Sequence, residues 1–66
     1  MVVKLHLYYI EFHGLTDRQL DYLNRHGTFK NLHSDGKVYR LYGNPPELYT
    51  ALLLISRRFS VEILSQ

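Results

Sequence analysis

Thr16-Asp17-Arg18-Gln19 and Asn44-Pro45-Pro46-Glu47 read as two helix starts, and the rest of this chain has to be arranged around them. At the first, Thr16 caps the opening turn, Gln19 reaches back to it, and Leu15 is placed to staple onto Leu20. The spacing predicts a helix to His26 that buries Leu20 and Leu23 with help from Tyr22. Asp21 and Arg25 support it at i,i+4, and Gly27 ends it in a left-handed position. At the second, Asn44 is the N-cap, Pro45 the first helical residue and Glu47 the third. Leu48, Ala51, Leu52 and Ile55 recur at helical spacing, Leu53 and Leu54 widen the apolar stripe, and Arg57 with Arg58 complements the dipole in the last turn.

The segments around these helices are β-prone. From Val2 to Phe12, Val3, Leu5, Leu7 and Tyr9 fall on one face and Lys4, His6 and Tyr8 on the other, the pattern of a half-buried strand. Ile10 and Phe12 break that alternation, as a bulge or a second buried surface would. Thr28 to His33 and Lys37 to Tyr42 flank Ser34-Asp35-Gly36, a hairpin signal. A type I′ turn at Asp35-Gly36 predicts Leu32 opposite Tyr39 and Lys30 opposite Leu41, with Phe29, His33, Val38 and Tyr42 on the other face. Phe59, Val61 and Ile63 alternate with Ser60 and Glu62 as a last short strand.

The order strand, helix, strand, strand, helix, strand predicts an α+β fold of ferredoxin-like β-α-β-β-α-β type: a four-stranded antiparallel sheet with two helices on one face. Residues 1–66 are expected to form a single domain with the second and fourth strands at the edges. A chain this short buries only about 60% of its unfolded surface. It contains no cysteine, so neither a disulfide nor a thiolate zinc site can supplement the core. The longest apolar run, Ala51 to Ile55, falls far short of the ~20 residues of a spanning helix. No signal peptide is legible at the N-terminus. These features predict a soluble, cytoplasmic protein without a membrane partner.

The chemistry-bearing residues form no motif. His6, His13, His26 and His33 lack ligand spacing, so no metal is expected. Glu11, Asp17, Asp21, Asp35, Glu47 and Glu62 each have a local structural role available. Gly14 and Gly43 belong to no phosphate-binding pattern, and Ser34, Ser56, Ser60 and Ser65 to no nucleophile signature. No catalytic residue and no cofactor is therefore expected, and the chain reads as non-enzymatic.

What remains is tyrosine, six in 66 residues, more than a small core can hide. The proposed sheet places Tyr8, Ile10, Tyr39 or Tyr42, and Leu64 on the face away from the helices, interleaved with Lys4, His6 and Arg40. Tyrosine and arginine are enriched in interface hot spots, which makes Tyr8, Ile10, Tyr39, Arg40 and Tyr42 the expected partner-binding residues. The expected function is a small protein-binding module, an inhibitor or adaptor acting on a larger protein, of the kind that viruses and mobile elements encode. It could also pair with itself through the open sheet face or an edge strand. The alternative is a single-stranded nucleic-acid binder that stacks bases on Tyr8 and Tyr42 or Tyr39, with Lys4, Lys37 and Arg40 on the backbone. The net charge of +2 does not by itself imply nucleic acid.

Overall fold

The computed structural model describes residues 1–65, apart from the side chain of Thr28. It is a small α+β fold with two helices and a five-stranded mixed sheet: β1 (Val2–Leu5), β2 (Tyr9–His13), α1 (Asp17–Arg25), β3 (Leu32–Asp35), β4 (Val38–Tyr42), α2 (Pro45–Arg58) and β5 (Glu62–Ser65). A 3-10 turn, Gly27–Phe29, precedes β3.

The extra strand arises where the alternation broke. The segment expected as one strand is a hairpin. Leu5 pairs with Ile10, Val3 with Phe12, and the His6 N–H donates to the Tyr9 carbonyl at 3.0 Å across the Leu7-Tyr8 tip. Reversing the chain there moves the buried parity from Val3 and Leu5 to Ile10 and Phe12, so Tyr9 faces away from the core and Ile10 into it. The sheet order is β3-β4-β2-β1-β5. β1 is inserted between β2 and β5 and runs parallel to β5, with Val2 opposite Glu62 and Leu5 opposite Ser65. The four-stranded, wholly antiparallel sheet is thus corrected to five strands with one parallel pair, and α2 crosses over two strands instead of one. The edges remain where they were expected, at β3 and β5.

The helix starts form as the sequence dictates. Thr16 Oγ1 accepts from the Gln19 N–H at 3.2 Å while Gln19 Oε1 accepts from the Thr16 N–H at 2.9 Å, a complete capping box. Asn44 Oδ1 accepts from the Glu47 N–H at 3.1 Å, with Pro45 opening α2. Thr16→Ala removes the acceptor and is expected to cost about 1 kcal/mol. A urea melt followed by circular dichroism measures it, and an unchanged midpoint would mean that α1 is held by packing alone.

Two local expectations are corrected. Gly27 does not adopt a left-handed C′ conformation; the positive-φ glycines are Gly14 and Gly36. The chain leaves α1 through extended His26 and turns at once through Gly27–Phe29, which carries Phe29 into the core at 3% exposure instead of onto a strand. In the β3–β4 hairpin Asp35 pairs with Val38, so the two-residue tip is Gly36-Lys37, not Asp35-Gly36. Gly36 has φ +65° and Lys37 a negative φ, the pattern of a type II′ turn, whereas type I′ needs both positive. The slide places Leu32 opposite Leu41 but keeps each residue on its face, because a turn displaced by one position shifts the pairing by two.

The core lies on one side of the sheet. Val3, Ile10, Phe12 and Leu41 from the strands meet Leu23 of α1, Leu48, Ala51 and Ile55 of α2, and Phe29. Tyr39, Leu32 and Leu5 share that face and pack against the cluster, half-buried. Among the described residues no polar or charged residue is buried, and no helix is long and apolar enough to cross a membrane.

Candidate functional site

Both helices belong to one core, so the other face of the sheet is uncovered. Alternation and register place Tyr9, Glu11 and His13 of β2 on that face, beside Val38, Arg40 and Tyr42 of β4 and Val2 and Lys4 of β1, with His33 and Asp35 on β3. Glu11 is the hub. Arg40 lies directly opposite on β4, and its Nε donates to Glu11 Oε2 at 2.9 Å. The other carboxylate oxygen is approached by His13 Nε2 at 3.4 Å and His6 Nε2 at 3.5 Å. The His6 atom is buried and forms no hydrogen bond of good geometry. Arg40 Nη1 extends the network by donating to Asp35.

Rings run alongside this polar line. His6 stacks on Tyr9 with centroids 4.2 Å apart, Tyr9 meets Tyr42 at 5.5 Å, and Tyr42 meets His33 at 5.9 Å. The Arg40 guanidinium lies 5.7 Å from the centre of the Tyr9 ring. The Arg40 hydrogen bond holds the Glu11 carboxyl below its ordinary range; burial opposes this, and the two imidazoles add to the lowering. Glu11 in turn raises the Arg40 pKa above its ordinary value. Through Arg40 the Glu11 carboxylate links side chains of β2, β4 and β3, with His6 beside it at the end of β1. Among the described residues no group of three or more His, Asp or Glu is placed to hold a metal ion.

A second feature stands at the rim, where the β1–β2 hairpin ends. Its tip residues, Leu7 and Tyr8, are 68% and 61% exposed. Leu7 overhangs a cleft of about 210 Å³ that Leu5, Pro45, Leu48, Tyr49 and Leu52 line together with His6, and Tyr49 on α2 is itself 64% exposed. The same tip flanks the end of β5 at Ser65. The cleft is smaller than the pockets that hold drug-sized ligands, yet it is apolar and open, the form of a socket for one anchoring side chain.

Of the residues expected to bind a partner, Arg40 and Tyr42 lie on the open face and Tyr8 at the exposed hairpin tip. Ile10 and Tyr39 do not. Ile10 is completely buried and Tyr39 shares its core-facing side, because the hairpin reverses the parity that placed Ile10 outside. Sequence reasoning passed over Tyr9, Glu11, His13, Leu7 and Tyr49. The signal for the first three was the apolar pair Ile10 and Phe12, which requires their neighbours to face the other way. Compared with known protein families, with curated proteins and with solved structures, the chain finds no match.

Proposed function

We propose that the chain is a non-enzymatic protein-binding module of inhibitor or adaptor type, docking on a larger protein through the tip of the β1–β2 hairpin and the adjoining face of α2. The carrying observation is the apolar cleft beneath Leu7. Leu7 and Tyr49 are large side chains held out at 60% exposure or more on the rim of a mainly apolar socket, and Tyr8, as exposed, adjoins Leu7 at the tip. Leucine and tyrosine at a two-residue hairpin tip have no local conformational advantage, since such tips favour glycine, asparagine and aspartate. A partner's side chain seated in the cleft gives them one.

The alternative, base stacking on the aromatic and basic sheet face, has weaker support. Arg40 is committed to Glu11 and Asp35, and Tyr9 and Tyr42 are already packed against imidazoles.

The test is capture from lysate with and without nuclease, followed by reconstitution with the purified partner. A stoichiometric complex is expected to survive nuclease, and Leu7→Asp or Tyr49→Asp to weaken it at least about 30-fold, the scale of a hot spot. The reading is overturned if the captured material disappears with nuclease, or if both variants bind as the parent does.

A further inference from the structure

Away from the hairpin tip, α1 and the end of α2 enclose a different kind of cleft, of about 390 Å³, lined by Arg18, Asp21, Tyr22, Arg25, Arg58 and Phe59. Its charge is unusual for this chain. Three arginines stand against one aspartate, a net charge of +2, equal to that of the whole protein. The five remaining cations and five remaining carboxylates of the chain are equal in number, so the lining of this cleft accounts for an excess as large as the chain's own.

The cations are presented on an aromatic floor. Arg58 sits with its guanidinium carbon 5.2 Å from the centre of the Tyr22 ring, and Phe59 meets that ring edge-on at 5.3 Å. Tyr22 thereby sets Arg58 over the cleft without neutralising it. Arg25 is paired with Asp21 at 3.1 Å, both well exposed. Arg18 and Arg58 make no ion pair among the described residues. Guanidinium groups recognise carboxylates through paired, parallel hydrogen bonds, and two unpaired forks with a third nearby suit two or three carboxylates in sequence.

We infer that this arginine cleft is a docking site for a short acidic segment of a partner protein, a run of glutamate or aspartate side chains. Charge complementarity selects the occupant. A nucleic-acid strand needs a cationic track along several successive phosphates, whereas here three arginines line one cleft and only Arg57 follows beside them in the last turn of α2. The inference rests on the partner being a protein, as proposed above, but uses a separate surface.

The probe is a fluorescein-labelled peptide of four consecutive glutamates, titrated at low ionic strength, with a four-glutamine peptide as control. The acidic peptide is expected to bind, to perturb amide resonances of residues 18–25 and 57–59, and to lose at least about tenfold in affinity in the Arg18→Gln/Arg58→Gln double variant. Lys37→Gln, in the β3–β4 turn, should leave binding near the parent value. Because the replaced side chains are exposed, circular dichroism should show both proteins folded. Three results would overturn the inference: no binding at low salt, an equal loss in Lys37→Gln, or tighter binding of a thymidine oligonucleotide of equal charge through the same two arginines. Leu7→Asp separates the two proposals, since it should abolish capture of the partner while leaving peptide affinity intact.

Discussion

Phe12→Ala is expected to destabilise the fold by about 3–5 kcal/mol, the range for truncating a fully buried phenylalanine. Phe12 has no exposed surface and occupies β2, the middle strand of five, between Val3 on β1 and Tyr39 on β4. Few sites in the molecule have less room to collapse, because strands constrain it on both sides and the helices lie above. A chain of this length commands only about 3–10 kcal/mol in total. The substitution should therefore leave much of the population unfolded at physiological temperature. Urea denaturation followed by circular dichroism reads the loss, with Leu53→Ala, on the exposed side of α2, expected within about 0.5 kcal/mol of the parent. Equal midpoints for the two variants would show that the core is not centred on β2.

Glu11→Gln is expected to have the next largest effect on stability, and a pH dependence of defined sign. In the folded state the Arg40 hydrogen bond holds the Glu11 carboxyl below its ordinary value of 4.5. Its contribution to stability is complete above the unfolded value and disappears as the pH falls through the lower, folded one. At neutral pH the variant should be about 1–2 kcal/mol less stable, the scale of a charge-assisted hydrogen bond reduced by partial exposure. The gap between the two proteins should narrow steadily as the pH drops below about 4.5. All other acids are shared, so the difference between two series of urea melts isolates this one carboxylate. A gap that is constant with pH would mean that the Glu11 charge contributes nothing to the fold.

What could be read from the sequence was what rests on local chemistry. Thr16 with Gln19 and Asn44 with Glu47 are complete devices within four residues, and both form as written. The apolar stripe of α2 likewise specifies its own buried face through Leu48, Ala51 and Ile55. Illegible was the Leu7-Tyr8 reversal, which contains no glycine, proline, asparagine or aspartate and no residue of positive φ. It shows only indirectly, in two apolar residues of the wrong parity. That single reversal decided the strand count, the parallel pair and the side taken by Ile10. The Asp35-Gly36 signal located its hairpin correctly but left the tip free to slide by one, because glycine serves either central position. The Glu11 hub could not be read at all. It depends on Arg40 lying opposite after an intervening helix and hairpin, and pairing at that distance leaves no mark on local sequence.

The parallel pairing of β1 with β5 bears on the order in which the molecule assembles. Both hairpins close over two residues, and each capped helix is likewise made of contacts local in sequence. The Val2–Glu62 and Leu5–Ser65 pairings, and the bond of 3.0 Å from the Glu62 N–H to the Met1 carbonyl, instead require a loop of nearly the whole chain to close. The entropy of that closure is incurred before any contact repays it. All four residues of β5 are exposed, so little apolar burial rewards its arrival. Without β5, β1 would be the edge of a four-stranded sheet, with unpaired backbone groups beside the leucine tip. The fifth strand is thus expected to be the molecule's closing latch, the last part to set and the first to release.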